Sequence, residues 1–219
     1  MRVRADRVAV GGPHGEVLPP TSLTVGEGEL VFVHGQPGSG ITAFGLALTG
    51  RMRPTTGVVT LDGGTDAGKL RAISAVVDAP GISEPDGALP LRVVAGEELA
   101  LGGRPARKAD IARWLADHDL GAQAGLRFGE LAPAARTRFL TGLAAHRRGI
   151  RMLVLDRPDR HTSEVESWVK LAHEHAEEGL AVVVLTATTP PGALPSAPVL
   201  LGENGLGHES PGEHEGDRS

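Results

Sequence analysis

Between Val31 and Gly50 the chain reads VFVHGQPGSGITAFGLALTG: an apolar run, a turn rich in glycine, then a segment with helical apolar spacing. Gly35, Gln36, Pro37, Gly38, Ser39, Gly40, Ile41 and Thr42 follow the outline Gly-x-x-x-x-Gly-Lys-Ser/Thr with one departure. In that pattern successive backbone N–H groups converge on a phosphate at the positive end of the following helix. Gly35, Gly38 and Gly40 allow the tight wrap, and Thr42 stands where a hydroxyl would reach a phosphate-bound Mg2+ ion. Ile41 takes the place of the lysine. The lost charge-assisted contact is worth about 1.5 to 3 kcal/mol, or about 10- to 100-fold in affinity. Two readings follow: a phosphate loop that works through its backbone alone, or a glycine-rich strand-to-helix turn that binds nothing.

A second acid-bearing segment, RMLVLDRPDR, lies far downstream. Its apolar strand ends in Asp156, the residue type that holds Mg2+ through water in phosphate-loop ATPases, so Thr42 and Asp156 are the candidate metal-binding pair. Arg157 is expected to pair with Asp156 or Asp159, with contact to a phosphate as the alternative. Trp114, Trp168 and Phe44 fall at apolar helical positions and are expected to be packing residues.

Several elements must position these groups. Gly28 to Gly35 reads as a buried parallel strand, Thr55 to Gly64 and Leu70 to Asp78 as further strands, and Ala79 to Pro90 as a loop. From Leu91 to Gly149 the periodicity turns helical. The α/β pattern resumes with strands at Ile150 to Asp156 and Leu180 to Ala187 on either side of a helix. Residues 203 to 219 are acidic and poor in apolar groups, which predicts a disordered tail.

With 219 residues the chain can form one α/β domain, and its net charge of -5 disfavours nucleic acid as a partner. It has no cysteine, and no stretch is long and apolar enough for a spanning helix. The expectation is a cytoplasmic protein without direct membrane insertion, linked to any membrane through a partner.

The order of loop, helical insert, LVLD-x-P and final VVVLTA strand resembles the ATP-binding cassette domain, the ATPase subunit of ABC transporters. The resemblance covers residues 1 to 202. It implies a phosphate-loop α/β fold with a parallel core sheet, an antiparallel β edge and an inserted helical subdomain near 85 to 149. It also implies ATP with Mg2+ as cofactor, a dimer with itself or with a competent ABC ATPase subunit, and an integral membrane protein as partner.

Several positions depart from the family pattern beyond Ile41. Arg157 stands where the family has its catalytic glutamate, replacing a general base with a permanent cation. Asp78 aligns with the glutamine that senses the γ-phosphate, and is expected either at a loop surface or against a partner. Leu131 to Ala135, LAPAA, stands in place of the Leu-Ser-Gly-Gly-Gln signature, and Ala187 in place of the switch histidine. Residues 1 to 30 lack the aromatic residue that would stack on adenine. Phosphoryl transfer depends on positioning and electrostatics, so the expectation is a chain with no catalytic residues of its own, acting as a non-catalytic partner or regulator. A slow Mg-dependent ATPase and a protein-interaction module without nucleotide are the alternatives.

Overall fold

The computed structural model describes residues 1–13 and 15–202; the acidic segment 203–219 lies outside the described residues. Two long strands open the chain, β1 (Arg2–Gly12) and β2 (Gly15–Gly26). There follow β3 (Leu30–His34), α1 (Ile41–Leu48), β4 (Thr56–Leu61), α2 (Ala67–Ile73) and β5 (Ser74–Val77). The helices α3 (Leu91–Leu101), α4 (Lys108–Asp117) and α5 (Pro133–His146) come next. The chain then forms β6 (Met152–Asp156), α6 (Val165–Glu177), β7 (Ala181–Thr186) and β8 (Val199–Leu200).

A parallel sheet of order β5-β6-β7-β3-β8 carries the core, and an antiparallel sheet of order β2-β1-β4 lies beside it. The parallel strands are apolar on both faces because both are covered. Leu153, Leu155, Val182 and Val184 face α3 to α6, while Met152, Val154, Val183 and Leu185 face α1 and the antiparallel sheet. Helix α1 is sandwiched between the sheets, so it is apolar all round: only Thr42 of its residues escapes burial. Phe44, Trp114 and Trp168 are all packed in the interior.

One strand expectation needs correction. Leu70 to Ile73 finish α2, and only Ser74 to Val77 pair with β6. The β-branched content of the segment signals the strand, but Asp66 decides where the helix begins. Its carboxylate accepts from the N–H groups of Gly68 and Lys69, which satisfies two donors that an isolated helix start would leave open.

Because the central strands are parallel, their carboxyl ends share one edge of the sheet. Gly35 after β3, Asp78 after β5, Asp156 at the end of β6 and Ala187 after β7 therefore meet there. In open α/β sheets this edge is where ligands sit.

Candidate functional site

The loop from Gly35 to Gly40 leaves β3 and enters α1 through left-handed glycines, Gly38 at φ 85° and Gly40 at φ 81°. Gly40 caps α1 without a side-chain bond. The N–H groups of Gly40, Ile41 and Thr42 find no acceptor among the described residues. They are the donors that the backbone reading of the loop requires. A Cβ on Gly38 would meet nothing within 4 Å, so the loop is open on that side. On its other sides it is closed. A Cβ on Gly40 would lie 2.0 Å from the Val17 carbonyl oxygen of β2, and one on Gly35 would lie 2.5 Å from Leu201 Cδ1 and 2.6 Å from Ser39 Oγ.

Ile41 is 3% exposed and belongs to the apolar cluster between the sheets. Its side chain is a packing group. Thr42 is half-buried, and its hydroxyl donates to Asp156, at 2.8 Å to Oδ2 and 3.1 Å to Oδ1. Burial pushes the Asp156 carboxyl above its ordinary range, opposed by the Thr42 hydrogen bond and the Arg157 charge. Arg157 Nε donates to Asp156 Oδ1 at 3.2 Å, so the arginine neutralises the strand end. Its backbone is left-handed at φ 51°.

The residues present fit a bound nucleotide in part. The open amides fit a phosphate. Thr42, donating its hydroxyl hydrogen bond to Asp156, keeps lone pairs for Mg2+, and Asp156 supplies a carboxylate behind it. The charge balance fits less well, because one cation of the pattern is gone and a guanidinium already occupies one oxygen of the acid.

Asp78 is neither at the surface nor free for a partner. It is 7% exposed and left-handed at φ 62°, with its carboxylate turned inward. Arg136 of α5 holds it with two bonds, Nε to Oδ2 at 2.9 Å and Nη2 to Oδ1 at 2.7 Å. Glu84 Oε1 accepts from the same Arg136 Nη2 at 2.7 Å. Arg160 Nη1 donates to the carbonyls of Asp78 and Asp156 at 2.6 and 3.0 Å, joining the ends of β5 and β6. His161 Nε2 lies 3.1 Å from Asp78 Oδ2. The Arg136 guanidinium also stacks 4.2 Å from the Phe128 ring centroid. Ligand atoms of Asp78, Glu84 and His161 lie within 4.8 Å of one another, the spacing of a metal site. Two arginines already balance the two acids, so the cluster satisfies itself without an ion.

Burial holds the His161 imidazole below its ordinary range, with Arg160 and Arg136 acting in the same direction and Asp78 opposing them. Neutral histidine is the form that suits this crowded cationic setting.

The segment after β7 is fastened as well. Asp159 Oδ2 accepts from the N–H groups of Ala187, Thr188 and Thr189 at 2.9, 2.7 and 2.8 Å. Thr188 Oγ1 donates to the Asp159 carbonyl at 3.0 Å. The position expected to carry a switch histidine thus offers a methyl group and gives its amide to an internal acid. At the start of α5, Ala132 is an N-cap with no side-chain oxygen and Pro133 fills the first helical position. That end carries neither a hydroxyl nor the amide that Pro133 lacks.

Sequence reasoning brought together Gly35 to Thr42 and Asp156; it missed Glu84, Arg136, Arg160 and His161, and offered Asp159 only as a partner for Arg157, which pairs with Asp156 instead. One signal was available for Arg136. It shares a helical face with Phe139, Leu140 and Leu143, all buried, and an arginine on an apolar stripe demands a buried acid.

These features define the class: a phosphate-loop α/β fold with a flanking antiparallel sheet. No protein-family model matches the sequence, and no curated protein matches it. Solved structures do. A putative ABC transporter ATP-binding protein from Pyrococcus furiosus is 18% identical, with a TM-score of 0.68 over 91% of this chain and 96% of that one. A nucleotide-free ATP-binding cassette from an ABC transporter is 16% identical, with a TM-score of 0.64 over 86% and 82%. An ATP-binding cassette of an ABC transporter in its ADP conformation is 16% identical, with a TM-score of 0.64 over 87% and 83%. The chain has the fold of the ATP-binding cassette. No helix among the described residues is long and apolar enough to cross a membrane.

Proposed function

We propose that this chain is a non-catalytic, ATP-binding-cassette-like subunit of an ABC-type transport assembly. It acts in the cytoplasm beside an integral membrane protein, a competent ABC ATPase subunit, or both. Residues 1 to 202 form the cassette-like unit, with an inserted helical part near 85 to 149. Mg-ATP binds weakly or not at all, through the amides of Gly38 to Thr42, the Thr42 hydroxyl and Asp156.

The observation that carries this reading is the Arg157 guanidinium on the Asp156 carboxylate. A cation there cannot accept a proton from water, and it draws on the charge of the acid that would support Mg2+. Ala187 and the LAPAA segment remove further polar groups from the positions that sense phosphate and close on a partner. In a mixed dimer both composite sites would be altered, which favours a regulatory or scaffolding role over half of a pump.

Calorimetric titration with Mg-ATP, run beside a phosphate-release assay, tests the proposal. Weak saturable binding without release, or no binding, is expected. Mg-dependent turnover that disappears in Asp156→Asn would overturn it in favour of an atypical ATPase.

A second reading, an interaction module without nucleotide, is favoured by the burial of Ile41 and the close approach of Val17 to Gly40. Saturable Mg-ATP binding that is lost in Thr42→Ala would exclude it.

A further inference from the structure

At the opposite end of α1 from the loop, a cavity of about 710 Å3 opens between the α1 C-terminus, β4 and α2. Its only charged lining residues are Arg51, Arg53 and Arg71, in a chain whose net charge is -5. None of the three forms an ion pair among the described residues. Met52, Pro54, Val58 and Leu70 supply an apolar wall, and Val58 is 39% exposed.

Two of these arginines are held in place without being neutralised. Arg51 donates to the Thr49 carbonyl at 3.3 Å and to Ser74 Oγ and the Ser74 carbonyl at 3.0 and 2.9 Å. Arg71 Nη1 donates to the Gly50 carbonyl at 2.8 Å. These acceptors are neutral groups that fix the guanidinium planes and leave the charge in place. The carbonyl end of α1 contributes about half an elementary negative charge and Asp66 offsets part of Arg71, which still leaves the balance of the three arginines positive. Asp66 feels the Arg71 charge but directs its carboxylate to the N–H groups of Gly68 and Lys69. Arg53 makes no hydrogen bond among the described residues and is free to close on a ligand. Burial pulls the Arg51 guanidinium below its ordinary range, and the charges of Arg147 and Arg71 add to the effect. Like charges gathered at one cavity repel one another and raise the local concentration of counter-ions, which makes the cavity a candidate anion site.

We propose that this cavity binds a small amphipathic oxyanion carrying two or more negative charges, a phosphorylated or polycarboxylated organic molecule, independently of the glycine loop. Arg53 and Arg71 clamp the anionic end with charge-assisted hydrogen bonds, and the wall of Met52, Pro54 and Val58 receives the apolar part. The size of the cavity suits a metabolite-sized ligand.

The test titrates the full chain with pyrophosphate and, separately, with citrate, by calorimetry at low salt. Three variants are compared with the unaltered protein: Arg53→Ala/Arg71→Ala, Val58→Asp, and Thr42→Ala as a loop control. The expected result is saturable binding of at least one anion, weakened about 10- to 100-fold in the double variant and by Val58→Asp, and unchanged by Thr42→Ala. Response to pyrophosphate alone assigns a phosphate ligand, and response to citrate alone assigns a carboxylate ligand; either supports the site. Circular dichroism checks that the variants, altered at the exposed Arg53, Val58 and Arg71 and at the half-buried Thr42, remain folded. Binding lost in Thr42→Ala and kept in the double variant would place the anion at the loop and overturn the proposal. So would the absence of saturable binding by both anions.

Discussion

Arg136 of α5 grips Asp78 at the end of β5 through two parallel hydrogen bonds of 2.9 and 2.7 Å, and both side chains are shielded from water. This pair joins helices α3 to α5 to the parallel sheet at the edge where the glycine loop lies. Removing one member leaves a buried charge short of its partner. Arg136→Met is expected to lose about 3 kcal/mol, near the low end for a broken buried pair because Arg160 stays in contact. Asp78→Asn/Arg136→Met is expected to lose less than the sum of the single variants by about 1 to 3 kcal/mol. Urea denaturation of the four proteins measures the coupling, and additive losses would refute it.

The same cluster predicts a pH dependence. His161 has a folded pKa below its ordinary 6.5, so the folded state resists the proton that the unfolded chain accepts. Stability from this residue is full above about pH 6.5 and falls as the pH drops from there toward the folded pKa. His146 is lowered too, chiefly by burial and then by Arg104, and contributes in the same direction. Asp156 runs the other way, since its raised carboxyl gains on acidification above the ordinary 3.8. His161→Gln is therefore expected to show a shallower fall in Tm between about pH 7 and pH 5. Parallel curves for the two proteins would remove His161 from the account.

Restoring the missing cation tests how far the loop alone governs binding. Ile41→Lys exchanges a packed apolar group, 3% exposed, for a charge, so it is expected to lower Tm, to tighten Mg-ATP binding by no more than about 10- to 100-fold, and to leave phosphate release absent, because Arg157 and Ala187 are unchanged. Calorimetry reads the first two effects and a phosphate assay the third. Turnover in this single variant would show that the loop alone had silenced the site.

Asp159 anchors the segment after β7. In Asp159→Ala the amides of Ala187, Thr188 and Thr189 are expected to lose protection against hydrogen exchange, and the protein to lose at least about 2 kcal/mol. Unchanged exchange at these amides would mean that another contact holds the segment.

Much of this architecture was legible in the sequence, for local reasons. Apolar runs mark β3, β6 and β7, closed by Gly35 after β3 and by Asp156 in β6, because parallel strands are buried on both faces. The loop announces itself because left-handed turns call for glycine. What stayed hidden depends on contacts between distant segments. Asp78 and Arg136 are 58 residues apart, and no local pattern shows an acid at a strand end turning inward to meet a helix. The anchoring role of Asp159 was hidden for the same reason: its partners lie 28 to 30 residues further on. The start of β5 was misplaced because β-branched residues outweighed a capping aspartate in the reading.

The tight packing around Gly35 and Gly40 changes what their survival means. A side chain at Gly40 would drive into the backbone of β2, and one at Gly35 into Leu201 and Ser39, with or without a nucleotide. Gly40 would thus be retained by selection for folding alone, with or without a ligand, whereas the side chains that crowd Gly35 can shift. Gly38 has open space and is restrained only by its own backbone angle. Among naturally diverged copies of this chain, position 38 is where keeping or losing glycine would report on phosphate binding, whereas glycine at 40 records little more than the course of a neighbouring strand.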